Sequence, residues 1–154
     1  MFKNGNILIR IIVIMFALLQ PFIIMYYYGL SLPSISSAWL TNLQPLFIIT
    51  NACTSYFLLG VNGWKIPGFL LLLLTSFSLE YSMVIHNIIA SLFFLSCIKG
   101  ICMIHRLKWY LFLYFSSLLI WLFFGMFIGE VFGIFVICCY HINLLWITSK
   151  IMNR

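Results

Sequence analysis

Long apolar runs, broken at short intervals by proline, glycine, asparagine or a charge, fill the chain from end to end. A helix that crosses a bilayer needs about 20 mostly apolar residues, and six runs approach that length. The first is residues 7–28, where Pro21 predicts a kink and Tyr26, Tyr27 and Tyr28 an interfacial aromatic belt. A Ser/Pro segment, Ser31 to Ser37, reads as loop. The second run is 42–60, with Asn42 as a candidate cap and Pro45 in the first turn. Asn62-Gly63 marks a turn. Pro67 then opens a short third run, 66–80, and the fourth is 82–104. His105-Arg106-Leu107-Lys108 forms a basic turn. The fifth run, 109–128, ends where Gly129-Glu130 interrupts it, and the sixth is 131–149. The expected fold is all-α: one transmembrane domain of six helices covering residues 1–154. Lys3 and Arg10 lie at the start of the first run, with no small-residue cleavage pattern after it, so that helix is expected to be retained as a signal anchor.

Composition points to lipid as the solvent. The chain has 154 residues, 65% hydrophobic and 6% charged, against about 25% charged in soluble domains. The formal net charge of +6 does not indicate nucleic acid, because the basic residues are scattered between apolar runs instead of clustered on a polar face. Their placement reads as orientation. With six spans, Lys3, Arg10, Lys65, Arg106, Lys108, Lys150 and Arg154 share one side, and Lys99 is near enough to that side to snorkel. Glu80 and Glu130 fall on the other. The positive-inside rule then places the basic side and both termini in the cytoplasm.

Polar groups at membrane depth are costly, so they mark candidate sites. Ser34, Ser36, Asn42, Gln44, Glu80, His86, Asn87 and Glu130 all belong to the non-cytoplasmic end and are expected to converge on a pocket open to the outer leaflet. Glu80 precedes His86 closely enough to orient its imidazole, which would then serve as base, ligand or headgroup clamp. The plainer reading makes the two glutamates interfacial and His86 a packing residue. No second His or Cys lies at ligand spacing there, so no metal is expected. His141 and Asn143 read as hydrogen-bonding glue between helices, and His105 as a headgroup contact. Gly125, Gly129 and Gly133 fit either close helix approach or a helix end. Thr50, Asn51, Thr54 and Ser55 form a polar stripe expected to face the bundle interior. Cys53, Cys97, Cys102, Cys138 and Cys139 lie in apolar segments and read as small hydrophobes. No nucleophile motif, phosphate loop or zinc signature is present, and no cofactor is implied.

Several short motifs together resemble a known family. Leu32-Pro33-Ser34-Ile35-Ser36 follows the first run, and Pro45-Leu46-Phe47 opens the second. His86-Asn87-Ile88-Ile89-Ala90 starts the fourth, and Glu130 the sixth. This order is similar to the DRAM/Frag/Sfk family of six-span membrane proteins, over nearly the whole chain. The loops here are shorter, and Val131 stands where that family often has Trp. The resemblance implies lipid-linked roles: remodelling of lipid-anchored proteins, phosphoinositide signalling or autophagy. It also implies a shared outer-face site of Pro33, Ser36, His86, Asn87 and Glu130.

The function expected from these readings is lipid binding, lipid remodelling or its regulation at a polar outer-leaflet pocket. Membrane lipids are the partners, in a bacterial inner membrane or a eukaryotic plasma membrane or endomembrane. The alternative is an accessory or assembly subunit, with other integral membrane subunits as partners. A transporter or channel is disfavoured, because no inverted repeat or charged pathway is visible.

Overall fold

A computed structural model of the chain describes residues 7–77 and 82–152. Among them every regular element is helical: α1 (Ile7–Tyr28), α2 (Gln44–Leu59), α3 (Lys65–Ser76), α4 (Met83–Cys102), α5 (Tyr110–Phe124) and α6 (Met126–Met152), with short 3-10 helices at Ile35–Leu40 and His105–Leu107.

The boundaries follow local chemistry. α1 stops at Gly29, whose φ of 60° lets its N–H donate back to the Met25 carbonyl at 2.8 Å, a left-handed C-terminal stop that glycine takes without strain. Pro45 sits in the first turn of α2, where its missing N–H costs nothing, because the opening N–H groups of a helix have no partner within it. The Leu43 N–H before it donates to Thr41 Oγ1 at 3.1 Å, so Thr41, and not Asn42, serves this helix start. Ser82 caps α4, its hydroxyl accepting from the Ile85 N–H at 3.3 Å.

Four helical stretches are long and apolar enough to cross a membrane: Ile7–Tyr28, Met83–Cys102, His105–Phe124 and Met126–Lys150. α2 and α3 are shorter, at 16 and 12 residues, or about 24 and 18 Å at 1.5 Å per residue. Large apolar side chains such as Phe16, Ile49, Phe69, Phe112, Leu122 and Phe135 remain exposed around the outside. In water such a surface would aggregate; against acyl chains it is the ordinary exterior. The fold is that of a membrane protein.

Successive helices run in opposite directions, and α6 is the central one. Its buried positions, among them Val136, Ile137, Cys138, Tyr140, His141, Leu144 and Leu145, cover a broad arc of about 200° at 100° per residue, and Phe135, Ile142 and Trp146 are exposed on the remaining strip. Cys138 Sγ donates to the Ile14 carbonyl of α1. The His141 ring meets Phe57 of α2, centroids 5.2 Å apart. Tyr140 donates to the Gly100 carbonyl of α4 at 3.1 Å. Two apolar clusters result. The larger runs through the middle and one end around Leu58, Trp64, Cys97 and Ile101. The smaller, Ile24, Ile35, Ala38, Phe47 and Phe127, fastens the 3-10 helix Ile35–Leu40 over the other end.

The largest departure from the sequence reading is the last hairpin. The fifth run does not continue to Ile128, and Gly129-Glu130 does not break it. The reversal is made by Gly125 alone, at φ 94°, and its N–H donates to the Trp121 carbonyl at 3.0 Å. Gly129 and Glu130 are inside α6. Of the two glycine roles, helix end belongs to Gly125 and close approach to Gly129. Ser31 to Ser37 is likewise not loop throughout, since Ile35 begins a helix, and the basic segment at 105–107 is a 3-10 turn.

Candidate functional site

The two ends of the bundle differ in charge. Antiparallel connectivity gathers Arg10, Lys65, Lys99, Arg106, Lys108 and Lys150 at one end, here the basic end. The other, the loop end, carries the 3-10 helix Ile35–Leu40 and Glu130, the only acidic residue among those described.

Glu130 lies one turn into α6 and is half-buried. Its Oε2 accepts from the Ile35 N–H at 2.7 Å. This bond joins residues 95 apart and pins the start of the 3-10 helix to α6. The neighbouring hydroxyls form a small network: Ser34 Oγ is 2.9 Å from both Ser36 Oγ and Ser37 Oγ. The Glu130–Ile35 bond holds the Ser/Pro segment as a cap over the loop end.

Beneath that cap lies a cavity of about 50 Å³. Its polar lining is Glu130, Ser36, Gln20 of α1 and Asn51 of α2, and its walls include Phe47, Leu71, Phe93 and Ile134. Gln20 is 2% exposed, and its Nε2 has no hydrogen-bond partner. An unpaired buried donor costs about 1–3 kcal/mol, a cost that a polar group entering the cavity would relieve. The sequence reading did not single out Gln20. Its signal was an amide deep in an apolar helix, and the lining role depends on which helices pack there.

The other sequence-predicted residues are placed as follows. His86 is completely buried; its Nδ1 lies 2.9 Å from the Phe77 carbonyl at the end of α3, and its Nε2 has no partner. It does not line the cavity, although Ala90, one turn along α4, does. Asn87 is exposed on another side of α4, and Pro33 is exposed on the loop. Glu80, and with it the proposed Glu80–His86 pair, lies outside the described residues. Ser36 and Glu130 are thus brought together, and His86 and Asn87 stand apart from them. In the α2 stripe, Thr50 and Ser55 are buried and Asn51 reaches the cavity.

The polar groups of the basic end behave differently. Asn143 Nδ2 donates to the Tyr110 hydroxyl, linking α6 to α5. His141 makes no such link: both ring nitrogens lack partners, and its neighbours are the rings of Phe57, Trp64 and Tyr140. Among the described residues no three His, Cys, Asp or Glu side chains gather as a metal site. Cys97 and Cys138 are buried, Cys53 and Cys102 exposed, and all five cysteines are free thiols.

No protein-family model, curated protein or solved structure matches the chain. Chemically, the loop-end cavity offers a carboxylate, two amides and a hydroxyl in an otherwise apolar wall. That set can bind and orient a small polar group.

Proposed function

We propose that this chain is a six-span membrane protein, with both termini cytoplasmic, that holds the headgroup of a membrane lipid in the loop-end cavity. The observation that carries the reading is Glu130, an acid in an apolar helix, bonded on one oxygen to Ile35 and facing a cavity that also contains the unpaired amide of Gln20. A carboxylate at such depth usually marks a functional position. The resemblance to the DRAM/Frag/Sfk family points the same way, since Ser36 and Glu130 come from two of its motifs and line one cavity.

The six-span topology is supported by the separation of basic residues from Glu130 and by the α2–α3 hairpin. Ser55 Oγ donates to the Gly68 carbonyl at 2.6 Å, tying the two shorter helices together so that neighbours shield them. At about 24 and 18 Å the two fall short of the roughly 30 Å hydrocarbon core, so their crossing requires the bilayer to thin beside them. With Cys53 and Cys102 changed to serine, an impermeant maleimide should label cysteine at Ser36 from the outside and cysteine at Lys108 from the cytoplasmic side. Labelling of both from one side would refute the topology.

Lipid occupancy has its own test. Ala90 lines the cavity and is nearly buried, so Ala90→Phe should fill it. Native mass spectrometry of the purified chain should show a retained lipid that the variant loses while still eluting as a monodisperse protein. Asn51→Leu, which removes a polar lining group with little change in volume, should weaken retention in the same direction. Unchanged lipid retention in both variants would end the reading.

A further inference from the structure

We infer that the headgroup recognised by this cavity carries a primary ammonium, as an ethanolamine phosphoester does; this rests on the lipid-site reading above. The first argument is charge. From Leu118 to Gly129 the chain has no hydroxyl, amide or charged side chain. At the hairpin tip Leu122, Phe123 and Phe124 are 72%, 79% and 69% exposed. The rim beside Glu130 is therefore apolar, and the carboxylate lies behind it in a region of low dielectric. A carboxyl group there either holds its proton or is ionised against a positive charge that meets it. Among the described residues every basic side chain is at the opposite end of the bundle, so none of them meets Glu130. A cationic group on a ligand would supply the complement.

The second argument is hydrogen-bond capacity and size. Glu130, Ser36, Gln20 and Asn51, each with an oxygen able to accept, line one small space, and an –NH3+ group presents three donors. A quaternary ammonium presents none, and it is recognised by aromatic cages. A phosphate monoester would set its own negative charge against the carboxylate. A cavity of about 50 Å³ accommodates a few water-sized groups, since one water needs roughly 10–15 Å³ on this measure. That suits an ammonium with its adjoining methylenes and is tight for a trimethylammonium. The remaining buried donor, Gln20 Nε2, then has a natural acceptor in the ester oxygen two carbons from the nitrogen of ethanolamine.

The test uses the full chain in nanodiscs of phosphatidylcholine alone, or with phosphatidylethanolamine or phosphatidylglycerol added, read by native mass spectrometry and by the thermal unfolding midpoint. Phosphatidylethanolamine should be retained about tenfold over either competitor and should raise the midpoint. Glu130→Gln, which keeps an acceptor for the Ile35 N–H, should remove that preference while the protein stays folded, and Gln20→Leu should weaken it. Glu130-dependent retention of phosphatidylglycerol or phosphatidylcholine at equal strength would overturn the ammonium and leave the lipid site standing. No Glu130-dependent retention of any lipid would overturn both. Free ethanolamine forms the last arm. If it raises the midpoint as phosphatidylethanolamine does, and lipid does not compete, the ammonium stands and its lipid source is overturned.

Discussion

Gly129→Ala is expected to destabilise the bundle by about 2–4 kcal/mol, because a single added methyl has nowhere to go. A Cβ at this position would fall 2.5 Å from Trp121 Cβ, 2.9 Å from Trp121 Cα and 3.0 Å from the Ser117 carbonyl oxygen. Two of these three atoms are backbone, so rotamer changes cannot relieve the contact, and α5 and α6 must move apart. In lipid this matters more than in water. Helices that already face an apolar solvent gain little from burying more apolar surface, and their association depends on close packing. The hairpin is also short, closed by one residue, so a shift at Gly129 strains Gly125. Gly133→Ala provides the control one turn further along: its Cβ would meet nothing nearer than Ser117 Oγ at 3.5 Å, and the gain in helix propensity is up to about 1 kcal/mol. Thermal unfolding in detergent should show a large drop for the first variant and none for the second. Equal midpoints for both would mean that the hairpin is not packed as described.

The contrast shows what the sequence could and could not disclose about this fold. Apolar run length located all six α-helices, though not the 3-10 helix Ile35–Leu40, and set the end of α1 at Tyr28. The hairpin turn was misplaced by four residues for a definite reason. In water a turn announces itself by polarity, and Glu130 beside Gly129 looked like one. The actual reversal, Leu122-Phe123-Phe124-Gly125-Met126, is apolar throughout and so carries no polar turn signal. Glycine alone carried the signal, and two glycines four residues apart carried it equally. The site was half legible. Glu130 and Ser36 stood out as polar groups in apolar surroundings, and they do meet. His86 and Asn87 are adjacent in sequence and so looked like one feature, but successive residues on a helix point about 100° apart, and here one is buried and the other exposed. Gln20 was hidden for the opposite reason: an isolated amide acquires meaning only when α1, α2 and α6 are packed around it. His141 is a warning in the other direction, a polar group at depth whose neighbours are the rings of Phe57, Trp64 and Tyr140.

Glu130→Ala should cost about 2–4 kcal/mol locally, and most of that comes from what it leaves behind. Ile35 is 5% exposed, so removing the carboxylate strands its N–H, a buried donor worth about 1–3 kcal/mol when unpaired and more when the lost acceptor was charged. The void left by the missing side chain adds to this. Glu130→Gln should cost less than about 1 kcal/mol, because its carbonyl oxygen reaches the same donor. The loss should appear where the bond acts. Hydrogen exchange at residues 35–38 should speed up in the alanine variant and remain slow in the glutamine variant, while exchange around Trp64 and Tyr140 at the basic end stays as it was. This pattern separates two jobs that fall on one side chain. Holding the cap requires only an acceptor, which glutamine supplies. Attracting a cation requires the charge, which it does not. A glutamine variant that keeps the cap protected but loses its lipid preference assigns the charge to the ligand. If exchange at 35–38 were already fast in the unaltered chain, the capping bond would not exist in solution, and neither role could be given to Glu130.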